Sequence, residues 1–568
     1  MNNVKTIVND FRELLENSKE LYGEKVAYKY KKYHTATEPK YIEKTYKQTV
    51  ADIKALSTAL LNMGLQGKKI VIIGRNRYEW CVSYLAVTTG DMVIVPLDNA
   101  LPDNEIEPLV RRSEAEAVIY DDSYMEVMLG LRRRNDNNVK FLICMDKTKQ
   151  KQTQDINALI EKGIKQLENG DKKFEEIKVD KNKMSVLLFT SGTTDTPKAV
   201  MLSQYNICSD FCNCINHFEM LPSDTLLSFL PMHHTFECTI TFLYGFYSGV
   251  TVAFCDGLKY IQKNLKEYKV NVFVAVPLVL ETIYKKIIKT IDNQGKTKLI
   301  KMVVLISNAL LKLHVDVRKI LFKQVLDNFG GHLRIILYGG AMMSKDTIVG
   351  INNFGIKTIQ GYGLTETSPV ITAESETKVK PGSVGYPLDN IEIKIDEPNE
   401  EGVGEILVKG TNVMMGYYKN DEETRKVLQD GWFRTGDFGY TDSDGFLYII
   451  GRKKDTIVLR NGKNVYPEEL EFLINKIPFV SEVMVYAREQ NNTDTLLCAK
   501  MVYDETIVKE MMGNKTKEEL EEVIWGNIKK INQSLPKYKH IESIIITTEP
   551  LIKTTTRKVK RHEELNRK

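Results

Sequence analysis

Apolar runs alternate with helix-like segments over the first part of the chain. VADIKALSTALLNMG (residues 50–64) has apolar positions at helical spacing, and KKIVIIG (68–74) is a short apolar run. YEWCVSYLAVTTG, MVIVPL and AEAVIYDD (78–122) continue the alternation, and EIEPLVRRS among them starts helically although it contains Pro108. Fully apolar strands are typical of a parallel sheet covered on both faces, so this pattern predicts an α/β architecture.

The pattern changes further along the chain. Residues 148–184 are rich in Lys, Glu, Gln and Asn, which predicts a solvated helix or loop. Alternation then resumes to about residue 371, and VNVFVAVPLVL (270–280) is interpreted as a buried strand entering a turn at Pro277. Short β-like runs separated by Gly, Asn and Asp over residues 381–450 predict a β-rich subdomain.

The last hundred or so residues mix helical and strand patterns, which predicts a small α+β unit. We place the domain boundary at GRKKD (451–455). The fold prediction is therefore α/β, with a large N-terminal domain of α/β sheets plus a β-rich subdomain (1–453) and a small α+β C-terminal domain (454–568).

Composition narrows the functional classes. With 79 basic and 75 acidic residues the formal charge is +4, which gives no support for a nucleic-acid partner. The N-terminus lacks an apolar signal segment and no run is long enough to span a bilayer, so we expect a cytoplasmic protein. Cys208, Cys212 and Cys214 lack paired CxxC spacing and are interpreted as free thiols rather than zinc ligands.

The stretch LLFTSGTTDTPKAVML (187–202) is a candidate phosphate-binding loop. It is not a Walker loop, because Pro197 and Ala199 replace the required Gly and Ser/Thr, and both flanks are strand-like rather than strand and helix. Its hydroxyls, one glycine and one lysine nevertheless suit an anion, and a solvated polar turn is the alternative. The candidate phosphate ligands are Thr190, Ser191, Gly192, Thr193, Thr194 and Lys198.

Four further motifs accompany this loop: QGYGLTETSP (360–369), WFRTGD (432–437), GRKKD (451–455) and PLIKTTTRKVKR (550–561). In this order and spacing the set resembles the adenylate-forming enzymes, which include acyl-CoA synthetases, peptide-synthetase adenylation domains and firefly luciferase. The resemblance covers nearly the whole chain, including GEILVKGTNVMMGYY (404–418), and LPMHHTFE (230–237) looks most like long-chain fatty acid–CoA ligases. It implies an AMP-binding N-terminal domain and a mobile C-terminal lid domain.

The resemblance also implies a reaction. A carboxylic acid attacks the α-phosphate of ATP, pyrophosphate leaves, and a thiol then displaces AMP from the acyl-adenylate. Because an anion attacks a polyanion, the protein has to neutralise the triphosphate and align the attack. ATP, Mg²⁺ and coenzyme A as a co-substrate are therefore the expected cofactors.

Residue roles follow from the same resemblance. Glu366 matches the family's magnesium ligand, Thr365 is expected to donate to the α-phosphate, and Tyr362 to stack on adenine. Asp437 matches the acceptor of both ribose hydroxyls, and Arg452 adds a ribose contact. Small residues after an apolar run form a place for a flat base, with a strand-to-helix turn as the alternative; they are Gly339, Gly340 and Ala341.

The remaining implied roles concern the acyl pocket and the lid. His234 aligns with a position beside the acyl group and α-phosphate, although a structural histidine is the alternative. Lys558 matches the terminal lysine that reaches the α-phosphate, Lys454 matches the hinge, and the loop around Gly462 is expected near the pantetheine arm. The chain departs from the family at three positions, with Asp195 and Ala199 in the phosphate loop and Arg557 before the terminal lysine.

The sequence restricts the substrate and the partners less than it restricts the site residues. The segment TFECT has no aspartate to clamp a substrate amine, although Glu237 is nearby, so an acid with a neutral side chain is favoured. The thiol acceptor is coenzyme A, or a carrier protein if the chain is instead a stand-alone adenylating enzyme. A degenerate nucleotide-binding regulator is disfavoured because Glu366, Asp437 and Lys558 are in place. Peripheral membrane contact stays open.

Overall fold

The computed structural model describes residues 7–32, 40–134, 136–190, 197–459, 462–490, 494–553 and 558–567. By internal contacts the chain divides into two compact units. Unit 1 comprises Met1–Glu392 and Val408–Phe433, and unit 2 comprises Ile393–Leu407 and Arg434–Lys568.

Unit 1 contains an eight-stranded sheet whose inner strands are parallel. The two strands that flank the candidate phosphate loop pair antiparallel near one edge of this sheet. In spatial order its strands are Gly416–Tyr417, Lys198–Ser203, Met184–Thr190, Val93–Pro96, Lys69–Ile73, Ala117–Tyr120, Phe141–Cys144 and Gln154–Asp155. The apolar runs of residues 68–122 form these inner strands as predicted, because their side chains are buried on both faces.

A second sheet of unit 1 has nine strands with a parallel centre. In spatial order they are Tyr386–Pro387, Val370–Ala373, Lys357–Gly363, Ile335–Tyr338, Val272–Ala275, Thr225–Ser228, Thr251–Phe254, Val26–Lys31 and Tyr41–Thr45. One expectation was wrong here. The strand before Pro277 leads into the helix Pro277–Asn293 and not into a turn, since proline suits the first helical position, where no backbone N–H bond is required.

Helices cover these sheets, and among them the residue range 237–244 is a π-helix. The helices of unit 1 are Phe11–Tyr22, Tyr46–Asn62, Tyr78–Thr89, Asp103–Ser113, Met125–Arg133, Ile156–Glu168, Lys173–Glu176, Gln204–Asn213, Glu237–Tyr244, Gly245–Tyr247, Ile261–Glu267, Pro277–Asn293, Thr297–Lys312, Arg318–Leu321, Lys323–Leu326, Lys345–Asn353 and Asp421–Val427.

The β-rich segment predicted for residues 381–450 forms a five-stranded sheet. Its strands are Ile391–Asp396, Gly404–Gly410, Leu428–Gln429, Trp432–Thr441 and Leu447–Arg452. The last two strands pair antiparallel, which sets Asp437 opposite Arg452.

The C-terminal part of unit 2 is α+β, as predicted. Its strands are Ile457–Val458, Asn464–Val465, Val480–Gln490, Asp494–Tyr503 and Ser543–Thr547, and its helices are Pro467–Ile474, Glu505–Met512, Lys517–Gln533 and Arg561–Leu565. Leu470, Val485 and Ile524 lie in one buried core that joins helix and sheet. The predicted α/β fold with a smaller α+β C-terminal part is confirmed.

Candidate functional site

The strands that flank the candidate phosphate loop are paired antiparallel. Thr190 lies opposite Lys198, and the Thr190 hydroxyl donates to the Lys198 carbonyl at 3.4 Å. Both flanks are therefore strands, as predicted, whereas a Walker loop is followed by a helix. Ser191, Gly192, Thr193, Thr194 and the unusual Asp195 lie outside the described residues.

Sequence reasoning missed two residues that contact Lys198, and one of them, Tyr417, also contacts Glu366. The Lys198 ammonium lies 2.6 Å from a Glu423 carboxylate oxygen and 4.9 Å from the centre of the Tyr417 ring. The Tyr417 hydroxyl donates to the Glu366 carboxylate at 3.0 Å. The cation and the carboxylate predicted for phosphate and metal therefore lie on either side of one tyrosine. Tyr417 belongs to the family-like run GEILVKGTNVMMGYY, which was the available signal.

Burial and the nearby Glu366 carboxylate raise the pKa of the Tyr417 phenol. The phenol therefore stays protonated at neutral pH and acts as a donor to Glu366. On the other side, hydrogen bonds from Lys198 and Lys426 lower the pKa of Glu423 to about 2. Glu423 is thus ionised at neutral pH, whereas the tyrosine beside Lys198 is neutral.

A buried polar network fixes the backbone just after Glu366. The Val370 N–H donates to Asp210 at 2.9 Å, and the Asn412 amide donates to the Val370 carbonyl at 2.7 Å. The Ser368 hydroxyl donates to the Asn412 carbonyl at 2.8 Å. Burial raises the pKa of the Asp210 carboxyl. These hydrogen bonds hold the backbone of residues 368–370 in one conformation, so Glu366 lies next to a rigid support.

The predicted base-binding residues meet at the carboxyl ends of two parallel strands. Ile335–Tyr338 and Lys357–Gly363 are parallel neighbours. Gly339, which follows the first strand, and Tyr362, near the end of the second, therefore lie at the same sheet edge. A Cβ on Gly339 would lie 2.9 Å from the Gly361 carbonyl oxygen, so this close approach requires glycine. Gly340 has a φ of +86° and is exposed, as is Ala341. Thr365 is half-buried in the short turn Thr365–Thr367.

His234 is exposed, and its Nδ1 accepts the Phe236 backbone N–H at 3.3 Å, which orients the ring. Glu237 is fully buried instead. Ser228 donates to one of its oxygens at 2.6 Å and Thr241 to the other at 2.9 Å, and burial raises its pKa to about 8. Glu237 is therefore neutral at pH 7, and both of its oxygens already accept hydrogen bonds from neighbouring side chains. It is therefore not suited to binding the ammonium group of a substrate.

The predicted residues of unit 2 come together separately. The Arg452 Nε lies 2.9 Å from an Asp437 carboxylate oxygen, and Asp437 is buried. Partial burial lowers the pKa of Lys454, and the nearby cations Arg452 and Lys558 lower it further. Lys558 is exposed, whereas Arg557 lies outside the described residues. Asp437, Arg452, Lys454 and Lys558 form one charged group around the GRKKD segment.

Gly462, predicted near the pantetheine arm, lies in the same unit. It has a φ of +78° between the paired strands Ile457–Val458 and Asn464–Val465, and its N–H donates to the Leu459 carbonyl at 2.9 Å. A left-handed φ is readily adopted by glycine, so this backbone conformation explains the residue type.

Arg112 is a further contact that sequence reasoning missed. It lies on the helix Asp103–Ser113, and its guanidinium donates to the Pro197 carbonyl at 2.8 Å. The same group lies 5.4 Å from the centre of the Phe189 ring. Arg112 therefore holds both strands at the base of the phosphate hairpin.

Comparison with protein families matches this arrangement twice. The family model described as AMP-binding enzyme matches residues 15–418, and the model described as AMP-binding enzyme C-terminal domain matches residues 454–567. The chain belongs to the AMP-binding enzyme family.

Curated members of this family are similar over most of their length. Long chain acyl-CoA synthetase 1 of Arabidopsis thaliana is 28% identical over 557 residues, which is 90% of this chain and 83% of that protein. Long-chain-fatty-acid–CoA ligase 5 of Rattus norvegicus is 30% identical over 479 residues, 78% of this chain and 68% of that protein. The predicted resemblance to acyl-CoA synthetases of the adenylate-forming enzymes is confirmed, and so is the predicted AMP-forming acid–thiol ligase.

Solved structures of AMP-binding enzymes share the fold. The anthranilate CoA ligase AuaEII in complex with anthranoyl-AMP has a TM-score of 0.77 at 18% identity, covering 99% of this chain and 97% of that one. The o-succinylbenzoate coenzyme A synthetase MenE of Bacillus subtilis, in complex with ATP and magnesium ion, has a TM-score of 0.73 at 22% identity, covering 97% and 99%. Among the described residues, no helix is long and apolar enough to cross a membrane.

Proposed function

We propose that this AMP-binding enzyme is a fatty acid–CoA ligase for medium or long acyl chains, active in two half-reactions. A carboxylate attacks the α-phosphate of ATP to give an acyl-adenylate and pyrophosphate, and the thiol of coenzyme A then displaces AMP. The observation that carries this proposal is the array of Lys198, Tyr417 and Glu366 beside the hairpin. In this array Lys198 lies over the ring of Tyr417 and Glu366 accepts the hydroxyl of the same residue, so a lysine for phosphate and a carboxylate for a metal ion lie close together.

In this proposal the phosphate hairpin binds the β- and γ-phosphates with its hydroxyls and Lys198. Lys198 is held by Glu423 in this structure. The lysine would exchange that carboxylate for phosphate oxygens when ATP binds, because both are anionic acceptors of a charge-assisted hydrogen bond. Glu423 therefore keeps the cation oriented without the nucleotide.

Glu366 fits a magnesium ion, because its carboxylate is a hard oxygen donor held in place by the Tyr417 hydroxyl. A bound Mg²⁺ supplies neutralising charge to the triphosphate. Thr365 is proposed to donate to the α-phosphate. Tyr362 provides a ring for adenine, beside the space that Gly339 keeps free of a side chain.

Asp437 is proposed to accept both ribose hydroxyls, with Arg452 holding its carboxylate in position. Lys558 supplies positive charge to the α-phosphate and the acid during adenylation, and His234 lies beside the acyl group. Lys454 is the proposed hinge of a mobile residue range 454–568, and the turn at Gly462 is proposed to lie near the pantetheine arm in the second half-reaction.

The neutral, enclosed Glu237 favours an acid without an amine group. A free ammonium substrate would need an ionised carboxylate with an open lone pair, whereas both Glu237 oxygens accept internal hydroxyls. Together with the long-chain ligases among the relatives, this supports fatty acids as substrates.

Acid-dependent ATP–pyrophosphate exchange with a panel of acids of increasing chain length tests the proposal. We expect Lys558→Ala to slow exchange by roughly 10²–10³, the scale of losing one transition-state charge partner. Thioester formation from pre-made acyl-adenylate should be largely spared. The matched control is Lys560→Ala, since Lys560 pairs with Glu563 at 2.9 Å and has no proposed catalytic role.

If Lys558→Ala slowed both half-reactions equally, its proposed role in adenylation would be contradicted. If the protein showed no pyrophosphate exchange with any acid, the proposed ligase activity itself would be contradicted. Replacing coenzyme A by an acyl carrier protein in the second step separates the two acceptors. Transfer to the carrier protein alone would favour the stand-alone adenylating enzyme.

A further inference from the structure

One surface helix of unit 1, Thr297–Lys312, carries apolar side chains on two faces. Ile300, Val303 and Val304 pack against the core of the nine-stranded sheet. The opposite face is also apolar and about half exposed or more, with Leu305 at 72%; its members are Leu299, Met302, Leu305 and Ile306. A surface helix is normally polar on its outer side, so this outer face marks an interaction surface.

The residues that follow the helix also expose apolar side chains. Leu313, Val315 and Ile320 are exposed, and Ile320 reaches 79%. We call the outer face of the helix together with these three residues the apolar surface. Single exposed apolar residues are common on proteins, whereas a run of seven over one short segment is not.

The apolar surface lies within a strongly basic segment. Residues 296–323 contain one acid, Asp316, whose carboxylate pairs with Arg318 at 2.7 Å. Within the described parts of the chain, no carboxylate lies at ion-pair distance from the lysines of this segment, which are Lys296, Lys298, Lys301, Lys312, Lys319 and Lys323.

We propose that the apolar surface docks this enzyme on a lipid bilayer that contains anionic headgroups. Apolar side chains of such a helix enter the boundary between headgroups and acyl chains, while its lysines remain at the anionic phosphates. The charge pattern argues against a second copy of this chain as the occupant, because two such segments would bring like charges together.

Vesicle co-sedimentation of the full chain tests this docking without an activity readout. We expect the protein to bind phosphatidylcholine vesicles that contain phosphatidylglycerol far more than pure phosphatidylcholine vesicles, and salt to weaken that binding. Lys298→Glu/Lys301→Glu/Lys312→Glu should lower partitioning roughly a hundredfold, because each lysine near an anionic surface contributes about a fivefold gain. Leu305→Glu/Ile306→Glu should lower the fraction of protein bound to anionic vesicles at least as much as added salt does, because these side chains would no longer enter the bilayer.

Matched controls keep the same chemistry at other places. Leu258→Glu replaces an apolar residue that is 68% exposed outside this segment, and Lys149→Glu/Lys151→Glu/Lys162→Glu changes the same net charge on exposed lysines. Both controls should bind vesicles like the unmodified protein. Thermal unfolding shows whether each variant is folded.

Unchanged vesicle binding in the lysine variant would overturn the proposal, as would loss of binding in both controls. Dimers that form with rising concentration and disappear in Leu305→Glu/Ile306→Glu, without vesicle binding by the parent protein, would assign the surface to a second copy instead. If the apolar variant fails to fold, the lysine variant still decides, since its three side chains are exposed.

Discussion

Glu237 shows how a single buried carboxyl can set a pH dependence. It is fully buried between the hydroxyls of Ser228 and Thr241, and its pKa is raised to about 8. Removing a carboxylate from water is costly, so the folded protein keeps the proton. The sequence identified Glu237 only as an acid near the segment that lacks an amine-clamping aspartate, and its burial and protonation depend on which side chains surround it.

The proton on Glu237 should make stability depend on pH. An unfolded glutamate releases its proton at a pKa of about 4.3, whereas folded Glu237 keeps it to about pH 8. The free energy of unfolding therefore falls as pH rises through this window. Glu237→Gln cannot ionise, so its free energy of unfolding relative to the parent protein should rise by up to roughly 1.4 kcal/mol per pH unit.

Chemical denaturation of both proteins at about pH 5 and about pH 8 measures this difference. Glu161→Gln, at an exposed glutamate, is the matched control and should leave the pH dependence of stability unchanged. A difference between Glu237→Gln and the parent protein that stays constant with pH would contradict a protonated Glu237.

At the scale of elements, the helix Asp103–Ser113 supports the phosphate hairpin through Arg112. The guanidinium spans the hairpin base by a hydrogen bond to the Pro197 carbonyl and a ring contact with Phe189. A phosphate-binding loop binds nucleotide better when its base is held, since less ordering is then required on binding.

Arg112→Met should weaken ATP binding while keeping the packing on Phe189. We expect the KM for ATP in the exchange assay to rise roughly tenfold, the scale of losing one charged hydrogen bond. Arg111→Met is the neighbouring control, because Arg111 pairs with Glu107 and Asp136 and makes no hydrogen bond to the two hairpin strands within the described residues. Equal KM values in the two variants would contradict the positioning role of Arg112.

Most elements could be predicted because their patterns are local. The apolar runs at 69–73, 93–96 and 117–120 are strands, and the helical spacing at 50–62 is a helix. Pro277 was misread because proline is compatible both with a turn and with the first turn of a helix, and only the following residues in their packed state distinguish them.

At the scale of the whole molecule, the predicted site residues fall into two groups. Lys198, Tyr362 and Glu366 lie in unit 1, whereas Asp437 and Lys558 lie in unit 2. The proposed boundary at residues 453–454 and the proposed mobility of the C-terminal domain stay predictions. A reaction with two different half-reactions gives a physical reason for such mobility, since the proposed role of Lys558 belongs only to the first.

Lys454→Pro should impair the second half-reaction more than the first. Proline fixes one backbone dihedral at the proposed hinge, so one domain orientation should be trapped. We expect thioester formation from pre-made acyl-adenylate to slow at least about tenfold, with pyrophosphate exchange affected less. Lys454→Ala, which leaves the backbone free to rotate, is the control, and an unaffected thioester step in Lys454→Pro would contradict the hinge.

The sequence alone determined the order of α/β elements, the family and the identity of most candidate ligands. Those features reside in local apolar periodicity and in short motifs whose residue types are required by phosphate and ribose chemistry. Which of these residues contact one another depends on the tertiary fold, because the contacting pairs are far apart in sequence. Tyr417 and Glu366 are 51 residues apart, and Lys198 and Glu423 are 225 apart.

Only the tertiary structure could show that Tyr417 contacts both Lys198 and the carboxylate proposed for magnesium, and that Glu237 is neutral. The apolar outer face of the helix Thr297–Lys312 likewise became visible only in the fold. The reason is physical. A residue's charge state and the face that it presents are set by neighbours that the fold brings from distant positions, and a local pattern does not contain those neighbours.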